Sequence, residues 1–487
     1  PVKTRYAPSP TGSLHLGGLR TALFNYLHAR QSPDGKFLLR IEDTDQARTV
    51  PGAAEALQST LTAFGMPPDE PVQKQSDRLE LYSKHAEILV QKGLAYPCFC
   101  SACRLADLRK GQVANGMRSM YDRHCRGIPL GDSMAMVNDG KPHTLRLKAP
   151  LEGNTVVDDS VRGKVTFDNS LMDDQILIKS DGFPTYHLAS VVDDHDMGIT
   201  NVIRGEEWLP STPKHLLLYD MFGWEAPEFS HLPLLLNKNR SKLSKRNNDL
   251  SVDDLLNVQG YSHSTIINFV ALLGWSPQAK HDLFDSDDDE LRMETVFPTM
   301  ESLVSAFKLE NASKRGAVVD VDFLHWLSGQ HMRKLDRDFL VSEARGQFGG
   351  CSCCFSDEYL HQVVELVISR VDKVKELGSF TNHFLLPLER TEDLVWCDVG
   401  DRNVRVDILC VVRERLGGLE DWNERSIREC LKSSLSLLGS GVKMSDLMLS
   451  VRWGVTGSFR GAGLAETLSL LGQARVLRRL EVLELKE

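Results

Sequence analysis

At 487 residues the chain is too long for one hydrophobic core, so two to four domains are expected. Its 41% hydrophobic, 25% charged and 7% aromatic residues are those of an ordinary soluble globular protein, and no run approaches the roughly 18 apolar residues of a membrane span. A net charge of −10 excludes an indiscriminate binder of nucleic-acid backbones, while leaving room for a local basic groove.

The chain opens on "VKTRYAPSP", which has strand character and stops at the prolines; these residues are themselves neither an Arg/Ser-rich leader nor a signal peptide, and a removed leader would leave no trace in them. Leu16, Leu19, Leu23, Tyr26 and Leu27 then share one helical face. Pro33-Asp34-Gly35 breaks that helix, and "KFLLRIED" reads as a buried strand ending in acid. Such a strand–helix–strand unit crosses over right-handed into a parallel sheet, whose ligands sit beyond the carboxyl ends of the strands. Residues from about 50 to 97 look helical. From "YPCFCSAC" to about 180 the pattern is irregular, with short strands "HTLRLKA" and "GKVTFD", as in an inserted module. Parallel-sheet signals return in "TYHLASVVDD" and "ITNVIRGEE", then a helix "STPKHLLLYDMFGW" capped by Ser211 or Thr212, then "HLPLLLN". After "SKLSKR" (241–246) helical periodicity dominates, in two blocks divided near 320 to 330, and the acidic run 281–294 reads as a solvated loop.

The turn at "APSPTGSLHLGG" carries His15, Gly17 and Gly18 at a helix start. Unpaired N–H groups there suit phosphate, the glycines remove side chains where a nucleotide would approach, and the histidine can donate to a phosphate oxygen. Taken alone, the same residues also make a tight turn with a surface histidine. Lys242 and Lys245 in "SKLSKR" can neutralise a leaving pyrophosphate, or form a solvated basic turn. The two motifs gain weight from lying at opposite ends of one α/β domain.

Together with "RYAPSPTGSLHLGGLRTALFNY", "RIEDTDQAR" and "SDGFPTYHLASVVDDHDMGITNVIRGEEW", these motifs run from residue 5 to 246 and resemble the glutamyl-tRNA synthetase family of class I aminoacyl-tRNA synthetases. Fainter similarity continues through "FVALLGW" and "VRWGVTGSFRG", and "VVDDHDMG" and "KHLLLY" lean toward the organellar branch. The resemblance implies an α/β fold: a Rossmann-like catalytic core (1–97 and 181–246) with an inserted acceptor-end module (98–180). A helical stem-contacting segment (247–325) and an all-α anticodon-binding domain (326–487) would follow. It implies glutamate–tRNA ligase activity, with ATP and Mg2+, L-glutamate, and tRNA-Glu or also tRNA-Gln as partners. A monomer with no membrane contact is expected, in the mitochondrial matrix or, alternatively, a bacterial-type cytoplasm.

By the same resemblance Arg5, Ala7, Ser9, Tyr186 and Arg204 hold the substrate glutamate, since guanidinium forks suit a carboxylate, and Glu42 accepts its α-ammonium. His15, Gly17, Gly18, Glu207, Lys242, Leu243, Ser244, Lys245 and Arg246 attend ATP, with His15, Lys242 and Lys245 catalytic. Against this, Arg5 and Arg204 can simply neutralise Glu42 or Asp45, and Tyr186 and His187 can be core residues at a strand start. Gly18 departs from the wider signature, which has a second histidine there. Arg370 resembles an arginine that reads the last anticodon base, or else pairs with Glu365 or Asp372.

Asp193, Asp194 and Asp196 read as a strand-end turn capped by acids in preference to a metal site. Cys98, Cys100, Cys103, His124 and Cys125 have the make-up of a structural zinc site, set against free buried thiols. Some family members carry zinc in this module with a histidine two residues after the last cysteine. Gly127 stands there, so Cys103 or His124 would have to substitute. The cluster at 351–354 has no partner histidines and reads as metal-free. Ten cysteines without a secreted disulfide spacing suit a reducing compartment.

Three rivals remain. A truncated paralogue that modifies a tRNA nucleoside lacks the roughly 240 residues found here after "KLSKR". A catalytically dead tRNA-binding protein has no reason to keep His15, Lys242, Lys245, Arg5, Arg204 and Glu42 together. A small adenylyltransferase is excluded by length.

Overall fold

Pro8 and Pro10 end the first strand, β1 (Lys3–Tyr6), and the chain crosses through helix α1 (Leu16–Arg30) to β2 (Lys36–Ile41), which pairs parallel with β1. Leu16, Leu19, Leu23 and Leu27 of α1 are buried, as their spacing requires. In the turn after α1 only glycine fits at position 35, where a Cβ would collide with the Ala29 carbonyl oxygen. The computed structural model describes residues 1–241, 251–277, 293, 295–348, 355–386, 402–439 and 441–484. Its residues fall into two compact units, one of Pro1–Gln259 with Ile266–Val321, the other of Gly260–Thr265 with Asp322–Glu487.

In the first unit α2 (Ala53–Ala63), β3 (Gln73–Lys74) and α3 (Leu79–Gln91) follow, β3 extending the sheet parallel to β2. Strand β4 (Ala95–Cys98) leads into α4 (Ala102–Ala114) and α5 (Leu130–Asn138), and pairs antiparallel with β5 (Thr144–Leu147). A hairpin of β6 (Asn154–Asp159) and β7 (Gly163–Asp168) comes next, then β8 (Ile176–Ile178). Helix α6 (Tyr186–Asp196), β9 (Asn201–Gly205), α7 (Thr212–Phe222) and β10 (Glu228–Leu232) restore the α/β alternation. β10 pairs parallel with both β9 and β6, so the hairpin, although inside the stretch read as an insertion, joins the sheet of β9 and β10. Thr200 N–H donates to the Lys3 carbonyl at 2.9 Å, setting β9 beside β1. The unit is α/β, with Arg5 and Arg204 each one residue from the carboxyl end of its strand.

"TYHLASVVDD" is helical where strand was expected. Leu188 to Asp194 are all buried, so α6 shows no polar face for a 3.6-residue period to reveal, and its paired valines imitate a strand. Its acids are not a strand-end turn either. Asp193 is bound by Arg78 (2.9 Å) and Tyr82 (2.9 Å), Asp194 by Arg5 (3.0 Å) and Arg40 (2.6 Å), and Asp196 by Arg78 (2.6 Å). Buried carboxylates need such partners, and with them Asp193 and Asp194 are counter-ions of the core, while Asp196 pairs at the surface. Neither Ser211 nor Thr212 makes the expected side-chain cap of α7. Thr212 Oγ1 instead accepts from Arg204 at 2.9 Å.

The second unit is helical among its described residues. Helices such as α8 (Asp357–Val367), α9 (Arg402–Gly417), α10 (Glu424–Ser434) and α11 (Met444–Thr456) bury one apolar stripe each, among them Val363, Val364, Leu409, Val412, Leu431, Leu447 and Val451. Ser356 and Asn423 cap α8 and α10 by accepting from Tyr359 N–H and Ser426 N–H. No helix among the described residues is long and apolar enough to cross a membrane.

Candidate active site

A cavity of about 500 Å³ opens at the carboxyl ends of β1 and β9, beside the N-terminus of α1. Arg5, Ala7, Ser9, His15, Gly17, Gly18, Glu42, Tyr186, Arg204 and Glu207, scattered over some two hundred positions of sequence, all line it. Tyr6, Arg20 and Trp208 also line it and were not singled out by sequence. Glu42 N–H donates to the Pro8 carbonyl at 2.9 Å, so the proline turn is tied to the end of β2.

At the helix end, His15 is the N-cap of α1, and its Nδ1 accepts from Gly18 N–H at 3.1 Å. A neutral ring so bonded carries its proton on Nε2. Gly18 has no room for a side chain: a Cβ would stand 2.6 Å from Tyr6 Oη and 2.8 Å from Leu14 Cδ1. The missing second histidine is thereby explained, because the Tyr6 hydroxyl fills its place. Lys242, Leu243, Ser244, Lys245 and Arg246 lie outside the described residues. On either side of them, Leu235 lines the cavity and Ser251 bridges to His15 by backbone hydrogen bonds.

The two arginines differ. Arg5 is ion-paired to Asp194, not to Glu42 or Asp45. Arg204, 5% exposed, donates from Nε to His231 Nε2 (3.0 Å), from Nη1 to Tyr186 Oη (2.9 Å) and His215 Nδ1 (3.3 Å), and from Nη2 to Thr212 Oγ1 (2.9 Å) and the Trp208 carbonyl (3.4 Å). All five partners are neutral, so its charge has no carboxylate counter-ion among the described residues. Burial, with the charges of Lys214 and Arg204, pushes His187 down to about 3, and burial with Arg204 holds His215 far below its usual value. His215 in turn lies 3.1 Å from His187 Nδ1. Tyr186 and His187 therefore begin a helix, not a strand, with Tyr186 directed to the cavity. Glu42 accepts from Arg40 at 3.1 Å, and burial raises its carboxyl above the usual value.

The cysteine cluster divides. The thiol sulfurs of Cys98, Cys100 and Cys125 lie within 4.8 Å of one another, with Cys100 and Cys125 3.6 Å apart. Cys103 is exposed on the first turn of α4 and reaches Asp107 (3.8 Å), and His124 is exposed in the following turn; neither joins them. Tyr121 Oη does, at 3.2 Å from Cys98 Sγ and 3.4 Å from Cys100 Sγ. Zinc–sulfur bonds of about 2.3 Å in a tetrahedron set sulfurs about 3.8 Å apart, so the group fits zinc. Tyr121 stands four residues before Cys125, ahead of a turn, and a search for Cys and His alone passes it over. Cys351, Cys353 and Cys354 lie outside the described residues.

In the second unit, exposed Arg370 ends a single turn, Ile368–Arg370, after α8. Glu365 is instead bound to Arg337 at 2.7 Å, and Arg452, lowered by burial and by the charge of Arg370, is its cationic neighbour.

Comparison with known proteins gives these surroundings a family. Residues 1–313 match the family described as tRNA synthetases class I (E and Q), catalytic domain, and residues 335–483 match an anticodon binding domain. A curated glutamate–tRNA ligase of Chloroherpeton thalassium is 42% identical over 99% of this chain and 97% of its own length. One of Finegoldia magna is 38% identical over 98% of each. A crystal structure of a glutamate tRNA ligase from Elizabethkingia meningosepticum, in complex with its amino acid, aligns over the whole of both chains at 30% identity with a TM-score of 0.80.

Proposed function

The chain belongs to the class I tRNA synthetases of the glutamate and glutamine (E and Q) family, and from that membership we infer its reaction. It is a glutamate–tRNA ligase. L-glutamate attacks the α-phosphate of ATP through its α-carboxylate, giving glutamyl-adenylate and pyrophosphate. The 3′-terminal adenosine of tRNA-Glu then takes the glutamyl group through its 2′-hydroxyl and releases AMP. The observation that carries the choice of amino acid is the uncompensated charge of Arg204 in a cavity of strand ends. We assign the substrate's side-chain carboxylate to Arg204 and the Tyr186 hydroxyl, with Arg5, Ala7 and Ser9 completing that wall, and its α-ammonium to Glu42. His15, Gly17, Gly18 and Glu207 receive ATP at the N-terminus of α1, and Lys242 and Lys245, with Leu243, Ser244 and Arg246 around them, meet the pyrophosphate as its charge builds. Positioning and charge stabilisation supply the catalysis, with no protein nucleophile. Mg2+ accompanies ATP, held by phosphates and water, since Asp193, Asp194 and Asp196 are occupied by arginines.

A structural zinc fits Cys98, Cys100, Cys125 and Tyr121, and would hold the module's fold. Arg370 reads the last anticodon base, which bears on whether tRNA-Gln is also charged. The enzyme acts as a monomer. Its named relatives are bacterial, which suits a bacterial-type cytoplasm as well as a mitochondrial matrix. ATP–pyrophosphate exchange in the presence of tRNA-Glu, with glutamate and glutamine compared, tests the assignment: exchange driven by glutamate supports it, and exchange driven by glutamine alone refutes it.

A further inference from the structure

Behind Arg204, outside the cavity lining, stand two fully buried groups that the reaction above does not use, His231 of β10 and Asp159 at the end of β6. Asp159 Oδ1 accepts the backbone N–H groups of Val161 (3.0 Å) and Arg162 (2.7 Å), and its Oδ2 lies 2.6 Å from His231 Nδ1. Burial works to raise the Asp159 carboxyl, but the hydrogen bonds from His231 and Arg162 hold it below the usual carboxylate range. An ionised Asp159 can only accept, so His231 carries its proton on Nδ1 and leaves Nε2 bare. That bare nitrogen receives Arg204 Nε–H at 3.0 Å.

We propose that His231, oriented by Asp159, is a positioning residue that fixes Arg204 for the substrate's carboxylate without neutralising it. A carboxylate placed directly on the guanidinium, as Asp194 is on Arg5, would fix the group and cancel its charge together. A neutral imidazole supplies the orientation alone, and the ionised partner stays one ring further away. Because Asp159 belongs to the β6–β7 hairpin, the seat of that hairpin on β10 is part of what holds the glutamate-binding arginine in place. The proposal rests on the assignment of Arg204 to the glutamate side chain.

The test uses the full-length chain with tRNA-Glu and ATP, and compares His231→Leu with His231→Gln, whose amide oxygen can still accept from Arg204. The leucine variant is expected to raise the glutamate KM on the order of ten- to a hundred-fold, with the ATP KM within about two-fold of wild type. The glutamine variant should recover most of that loss. Equal glutamate KM values in the two variants, whether normal or raised alike, overturn the proposal. If thermal unfolding shows that the leucine variant does not fold, the pH dependence decides. The charged and titratable groups facing His231 are Asp159 and Arg162 of the hairpin, Arg204 of β9 and, across Arg204, His215 of α7. All are kept in the glutamine variant. Burial and the charge of Arg204 hold His231 below the usual imidazole range, so the wild-type glutamate KM should climb only as the pH falls below that range and Nε2 takes a proton, while that of the glutamine variant stays flat; parallel profiles overturn the proposal. Arg204→Ala run alongside separates the failures. Normal glutamate kinetics in Arg204→Ala refute the assignment of Arg204, whereas an impaired Arg204→Ala beside unaffected His231 variants refutes the positioning role alone.

Discussion

Asp194 stands 3.0 Å from Arg5 Nε and 2.6 Å from Arg40 Nη1, so it serves two arginines at once and neither of them is Arg204. The two arginines that sequence pairs as glutamate ligands are therefore in different electrostatic states. Arg204→Ala should lower kcat/KM for glutamate by tens- to thousands-fold, the roughly 2–5 kcal/mol of a charged partner lost from a buried carboxylate. Arg5→Ala should also lower the thermal midpoint, because it strips Asp194 of one counter-ion in the core. Steady-state kinetics and thermal unfolding of both variants check this. Normal glutamate kinetics in Arg204→Ala would remove Arg204 from the site.

Gly18 is held small by the Tyr6 hydroxyl. Gly18→Ala should destabilise the fold by about 1–3 kcal/mol through that overlap. Adding Tyr6→Phe should return part of the loss, since it deletes the oxygen 2.6 Å from the new Cβ. A thermal midpoint unchanged by Gly18→Ala contradicts the steric account.

Metal content separates the thiols. Atomic absorption of the purified chain should find one zinc, lost in Cys125→Ser and kept in Cys103→Ser and His124→Ala. Retention in Cys125→Ser, or loss in His124→Ala, would rule out the group of Cys98, Cys100, Tyr121 and Cys125.

Lys245→Ala should depress the chemical step more than glutamate binding, with kcat falling and the glutamate KM changing modestly, because the loop's charge matters most as pyrophosphate leaves. A variant with near-full turnover sinks the role given to the lysine.

Arg370→Gln should relax discrimination against tRNA-Gln, by the ~1–3 kcal/mol that arginine hydrogen bonding can impose between bases, and leave the ATP and glutamate parameters alone. Charging assays with both tRNAs measure it. An unchanged preference, or a wild type that already charges tRNA-Gln freely, takes Arg370 off the list of specificity residues.

Much of the cavity was legible because its residues sit in two kinds of local signal. Strand ends carry Arg5 and Arg204, and a glycine-bearing helix start carries His15, Gly17 and Gly18. What was hidden depends on partners far apart in sequence. Nothing local says that Arg5 meets Asp194, 189 positions away, or that Asp159 reaches His231 across 72. Helix α6 was misread because a helix buried on every side has no amphipathic period. Tyr121 was missed because a phenol is read as core until three thiols are seen around it.

The most direct test is charging itself. Purified full-length chain, ATP, Mg2+ and tRNA-Glu are incubated with radiolabelled glutamate or, in a parallel reaction, glutamine, and acid-precipitable aminoacyl-tRNA is counted. Glutamate should be esterified to the tRNA and glutamine left in solution, since only the former brings a side-chain carboxylate to Arg204. Charging by glutamine, or no charging by glutamate, would contradict the account.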